Sequence, residues 1–209
     1  HAFQYLLLGS ALLVTVGVLD DCLQLSPAPR FLAQLLTALL MTLGGKVVLV
    51  DLGMLIVPGQ VLTLGWLSIP FTLFATLGVI NAINMSDGSD GLSVSLILVA
   101  LAGLLVLTAA AGELQILPPM ACLITVLVAF LAFNHPFRGP ARVFMGDAGS
   151  LFLGFALSWV FIQYSQGEAR ILAPVTALWL LALPLIDTLV IMARRIHKGR
   201  SPLSGDREH

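Results

Sequence analysis

Seven long apolar runs, each separated from the next by glycine, proline or charge, leave this chain little choice of fold. They cover residues 2–19, 31–43 (extendable to Val50), 66–84, 92–111, 117–133, 150–166 and 171–193. At about 1.5 Å of rise per residue, about 20 apolar residues cross the hydrocarbon of a bilayer as a helix. A helix also satisfies its own backbone N–H and C=O groups, which lipid cannot do. The runs are rich in Leu, Val, Ala and Ile on every face, as bundle helices are. Only 10% of the 209 residues are charged, against about 25% in a soluble domain. A soluble domain is therefore excluded. The expected fold is an all-α integral membrane protein, a polytopic bundle of about seven transmembrane helices forming a single domain over residues 1–209.

One stretch breaks the helical pattern. V-V-L-V-D-L-G-M-L-I-V-P-G-Q-V-L-T-L-G, between Lys46 and Gly65, is β-branched and carries a Pro-Gly turn. It predicts a small β-hairpin at the membrane surface. The chain starts at His1, is apolar by Ala2, and stops in the polar run D-R-E-H, which reads as a piece cut at both ends. Cys22 and Cys122 lie in separate segments without metal-ligand spacing and read as small packing residues.

The acidic residues are concentrated at the ends of the runs. Asp20-Asp21 closes the first, N-A-I-N-M-S-D-G-S-D-G-L (Asn81–Leu92) joins the third to the fourth, and V-F-M-G-D-A-G-S (Val143–Ser150) opens the sixth. The basic tail K-G-R-S-P-L-S-G-D-R-E-H follows the last. If successive runs cross the bilayer, all four clusters meet on one side. That side also carries Arg30, Arg138, Arg142, Arg194, Arg195, Lys198, Arg200 and Arg207, against Lys46 and Arg170 on the other. The positive-inside rule makes it cytoplasmic and leaves the hairpin on the non-cytoplasmic side.

A carboxylate in hydrocarbon costs roughly 2.5–3.5 kcal/mol on insertion scales, so its presence calls for a use. Asp147 would serve as a helix N-cap. With Arg142, Phe144 and Gly149 beside it, it also reads as a metal ligand at a helix N-terminus whose amides suit phosphate. Asn81, Asn84, Asp87 and Asp90 recur every three residues and offer the hard oxygen ligands that Mg²⁺ takes. Two Asp-Gly pairs alone would be ordinary turn chemistry. Asp20-Asp21 reads either as a solvated helix end or as a base or phosphate-orienting pair. In the tail, Arg200 and His209 read as anion-binding; His135, after the fifth run, and His197 read as surface residues. Asp187, inside the last run near Pro184, is expected to face the bundle interior with a partner. A transporter or cation channel with the acids along its pathway is the competing class.

These motifs, in this order, resemble the polyprenyl-phosphate N-acetylhexosamine-1-phosphate transferase family, of glycosyltransferase family 4 type. The likeness runs from about Val16 to His209, and the tail G-x-S-P…D-R-E-H resembles that of the branch that starts O-antigen, enterobacterial common antigen or teichoic acid synthesis. It implies a bacterial inner-membrane, multi-pass enzyme of about ten or eleven helices, with its active site on the cytoplasmic face. The reaction implied is transfer of N-acetylhexosamine-1-phosphate, with N-acetylglucosamine as the leading sugar, from a UDP-sugar to undecaprenyl phosphate, releasing UMP. The cofactor implied is Mg²⁺, with Mn²⁺ able to substitute. The partners are the two substrates and the bilayer, with no nucleic acid; a homodimer is compatible. Carried over by position, Asp147, Asn84 and Asp87 hold the metal, and Asp20, Asp21, Asp87 and Asp147 are catalytic. Phe144 stacks the uracil, Asp90 bonds its edge, and Asn81, Arg142, Arg200 and His209 complete substrate binding. Gln24 departs from the pattern, standing where many members have a third acidic residue.

Overall fold

A computed structural model describes residues 2–55, 59–113, 117–134, 141–168 and 170–199. They form α1 (Ala2–Leu23), α2 (Pro27–Leu39), α3 (Ser68–Ser86), α4 (Leu92–Ala111), α5 (Leu117–Asn134), α6 (Gly146–Gln163), α7 (Pro174–Leu180) and α8 (Ala182–His197). Pro27 opens α2 where its missing N–H costs nothing, and α2 continues into one π-helical turn, Leu40–Gly44. By length and hydropathy, α1, α3 with its preceding 3-10 turn, α4 and α5 can each cross a membrane, and α7 with α8 makes a fifth bent span. The all-α membrane architecture thus stands, with four or five such spans among the described residues where seven were expected. The shortfall has physical causes. α2 has only 13 residues before its π turn, and α6 carries Asp147 and three glycines in 18 residues, most of it packed inside protein.

Four further expectations are corrected. The run 171–193 is not one helix: it bends by 70° at Leu181. Pro184 lacks the N–H that would bond Leu180, four residues back, and its ring crowds that carbonyl. Asp187, expected inside the bundle, lies on the exposed face of α8 beside Ile186. Cys22 and Cys122, read as packing residues, are exposed. The hairpin is reduced to a single antiparallel bridge, Asp51 opposite Thr63, and no strand forms among the described residues. Leu52 N–H donates to Leu62 O and Leu64 N–H to Val50 O, at 2.9 and 2.8 Å. Side chains hold the loop instead: Leu49 N–H donates to Thr72 Oγ1, Val50 N–H to Gln166 Oε1, and Arg170 pairs with Asp51.

The bundle is organised around α6. Helices α1 and α3 lie against it at small residues: Gly17 faces the backbone of Ala148, and Gly154 faces that of Ile80. On one side Leu13, Met41, Ile80, Leu151, Phe155 and Trp159 form an apolar core with an edge-to-face Phe155–Trp159 pair. On the other, Ile83, Ile97, Leu101, Leu104, Leu157 and Phe161 join α3, α4 and α6. Close glycine contacts suit lipid, where helices associate by packing rather than by apolar burial. The end of α1, the end of α3 and the start of α6 therefore meet at one end of the bundle, each bringing an acidic motif.

Candidate active site

Gly146 begins the site. Its φ of +67° is left-handed, and a Cβ there would lie 2.7 Å from Asp21 Oδ2. Glycine thus lets the α6 backbone come up to Asp21. Asp147 N–H donates to Asp21 Oδ1 at 2.9 Å and Ala148 N–H to Oδ2 at 3.3 Å. The helix N-terminus expected to receive a phosphate is held here by a carboxylate of the chain itself, a favourable place for negative charge. The Asp20-Asp21 pair is split in function: Asp21 is exposed and caps α6, while Asp20 is 4% exposed and faces inward.

Asp20 is balanced by Arg30, from the first turn of α2, at 2.9 Å. The same guanidinium donates to Asn84 Oδ1 at 3.0 Å and Asp147 Oδ1 at 3.2 Å. Asn84 in turn donates to Asp147 Oδ1 at 2.5 Å and to Ser150 Oγ at 2.8 Å. Ser150 donates to Gly146 O, back along α6. One cation therefore ties three helices and two carboxylates together. The sequence had offered Arg30 only as a vote on orientation, and Ser150 only as a motif end.

Asp87 lies just past the end of α3, and its carboxyl is pushed up to about 7. Burial is the main cause, and the negative charges of Asp147, Asp21 and Asp90 add to it, against one N–H from Gly146. Asp90 is exposed and accepts from Ala141 N–H at 3.4 Å. Buried Asn134, at the end of α5, joins the two motif loops, accepting from Gly91 N–H at 2.8 Å and donating to Val143 O at 2.7 Å. Sequence reasoning missed it, and its only signal was an amide at the end of an apolar run. Asn81 sits deeper, its amide donating to Gln34 Oε1 and Leu77 O. Phe144 (72% exposed) and Arg142 stand in the open just before α6. Arg200, His209, Arg138, Arg207 and His135 lie outside the described residues.

Among the described residues, no three His, Cys, Asp or Glu side chains converge as a metal cage. Mg²⁺ would not need such a cage, since it takes one or two carboxylates and fills its shell with phosphate oxygens and water. Asp147, Asp87 and the Asn84 oxygen are the groups that would hold it, and Arg30 occupies the Asn84 oxygen and Asp147 Oδ1 in the structure described. The negative charges of Asp147, Asp21 and Asp90, which add to burial in raising Asp87, mark a place where a cation would be favoured.

The bundle, with its candidate membrane spans, thus gathers carboxylates, an amide and a guanidinium at one end. Residues 3–165 match the family model described as Glycosyl transferase family 4, and the chain belongs to that family. It is similar to proteins named undecaprenyl-phosphate alpha-N-acetylglucosaminyl 1-phosphate transferase. The Yersinia pestis protein is 38% identical over 99% of this chain, and the Escherichia coli K12 protein 37% over 100%. The Haemophilus influenzae protein is 41% identical over 94%. The chain spans 57%, 57% and 56% of the lengths of these three relatives.

Proposed function

We propose that this chain forms much of the catalytic core of an enzyme that moves N-acetylglucosamine-1-phosphate from UDP-N-acetylglucosamine to undecaprenyl phosphate. An oxygen of the lipid phosphate attacks the β-phosphorus, the bond from that phosphorus to the bridging oxygen breaks, and UMP leaves with the electron pair. The observation that carries this reading is the joining of Asp20, Arg30, Asn84, Asp147 and Ser150 into one network where the ends of four helices meet. The names of the relatives support the choice of substrates.

Two anionic substrates must be brought together, so the chain's main tasks are positioning and charge neutralisation. Asp147, Asp87 and Asn84 would hold Mg²⁺, which when bound supplies positive charge at the pyrophosphate oxygens. Arg30 keeps Asp20 and Asp147 in place and can turn a guanidinium toward an arriving phosphate. Asp21 fixes the start of α6, and with it the direction of Asp147; with Asp20 it lies beside the lipid phosphate. Exposed Phe144 is free to stack on uracil, with Asp90 at the base edge and Arg142, Arg200 and His209 on phosphate or sugar. On this reading the protein is multi-pass in the bacterial inner membrane, with the site facing the cytoplasm and a cell-surface polysaccharide pathway downstream. Asp147→Asn keeps the shape and removes the charge. Turnover should fall below detection in a protein that still folds, and unchanged turnover at unchanged folding contradicts the assignment.

A further inference from the structure

Gln34 is fully buried in α2, one turn below Arg30. Its Oε1 accepts from Asn81 Nδ2 at 2.7 Å, and its own Nε2 has no partner. A buried donor left unbonded costs about 1–3 kcal/mol, so an apolar side chain of the same size would be cheaper here. Yet the amide stands where it completes a second rung between two helices. Arg30 and Gln34 are four residues apart on α2, and Asn84 and Asn81 three apart on α3, so both pairs fall on facing surfaces. Arg30 meets Asn84 at 3.0 Å and Gln34 meets Asn81 at 2.7 Å. One rung alone would let α2 turn about the contact; two set its rotation and its height on α3.

The need for a second rung can be traced to the ends of α2. Its first turn is Pro-Ala-Pro with no side-chain cap, and its last runs into the π turn Leu40–Gly44. Residues of one helix point about 100° apart, so a slip by a single position would swing Arg30 off both Asn84 and Asp147. We infer that Gln34 is a positioning residue of this active site, acting through its amide pair with Asn81 to hold Arg30 on Asn84 and Asp147. The inference rests on the reaction proposed above. It accounts for Asn81, whose amide is directed into the bundle rather than at the open end of the site.

The test is steady-state kinetics and thermal unfolding of the purified intact protein, with UDP-N-acetylglucosamine, undecaprenyl phosphate and Mg²⁺. Gln34→Met keeps the volume and removes the rung. It should lower kcat by about ten- to hundred-fold, the range for a displacement of about 1 Å, with KM for both substrates within about threefold. The exchanged pair Q34N/N81Q keeps one amide on each helix and the same total length, and should recover most of kcat. A purely structural role predicts lowered thermal stability with kcat per folded molecule unchanged. That result, or an exchanged pair that recovers stability without kcat, overturns the inference. If Gln34→Met does not fold, Gln34→Asn is the milder probe and should show the same fall in kcat at constant KM; wild-type kcat in that variant overturns the inference equally. A wild-type protein with no turnover refutes the reaction itself, whereas active wild type matched by Gln34→Met refutes only the role of Gln34.

Discussion

Replacing Gly154 with alanine should both loosen the bundle and disable the site, although the residue lies a full turn from any functional side chain. A Cβ at Gly154 would stand 2.6 Å from Ile80 Cα, 3.3 Å from its oxygen and 3.4 Å from its carbonyl carbon. Carbon–carbon contacts rest at about 3.5–4.0 Å, so α3 and α6 must part by about 1 Å. These are backbone atoms in helices, and no rotamer change relieves the clash. Asn84 is one turn from Ile80 and Ser150 one turn from Gly154. The Asn84–Asp147 and Asn84–Ser150 bonds, at 2.5 and 2.8 Å, lie where that separation is felt. Stretched by ~1 Å, both reach or pass the limit of a useful hydrogen bond. Overpacking of this kind costs about 1–3 kcal/mol, and a ~1 Å misplacement of catalytic groups about 10²-fold in rate. Thermal unfolding and turnover of the purified protein read the two effects separately. Gly78, in α3 two residues before Ile80 and with nothing within 4 Å of its Cβ position, is the matched control. Gly78→Ala should leave turnover alone and hold or raise stability, by up to about 1 kcal/mol. Gly154→Ala behaving like Gly78→Ala would refute the argument that α3 and α6 set the site by close approach.

Removing the charge from Arg30 with Arg30→Met leaves Asp20 buried and unpaired, which should cost about 3–5 kcal/mol of stability; a melting temperature that partly recovers on adding Mg²⁺ is expected, and one unchanged in both conditions contradicts the pairing. Asp87, raised from 3.8 to about 7, binds its proton more tightly folded than unfolded. In EDTA the folded protein should therefore lose stability as pH rises from about 4 to about 7, and Asp87→Asn should flatten that slope. By the same sign, Mg²⁺ affinity should climb through pH 7 as the proton leaves, measured by Mg²⁺-dependent melting at fixed pH values.

Much of the fold was legible because apolar length is a strong signal. Each of the seven apolar runs contains helix in the structure, and the motif ends of α1, α3 and α6 do meet. What failed were features decided by a few atoms. Pro184 breaks the last run at Leu181, and Asp187 turns outward on the bent helix that results. Among the described residues the Pro-Gly segment closes one bridge, and the side chain of Gln166 takes the Val50 N–H that a longer ladder would have used. Within the site, residue types were readable but partners were not. Arg30 lies 54 residues from Asn84 and 117 from Asp147, and nothing in the linear chain marks it as their shared cation. Asn81 shares the rhythm of Asn84 and Asp87, yet it turns to Gln34, because a helix points residues three apart to neighbouring rather than identical directions.

The most direct measurement is UMP release by the intact protein from UDP-N-acetylglucosamine, with undecaprenyl phosphate present or absent and Mg²⁺ added or chelated. The account predicts release only when lipid phosphate and metal are both present, with one labelled sugar phosphate reaching the lipid for each UMP formed. UMP release that ignores the lipid, or no release from a folded protein across a panel of UDP-N-acetylhexosamines, would contradict it.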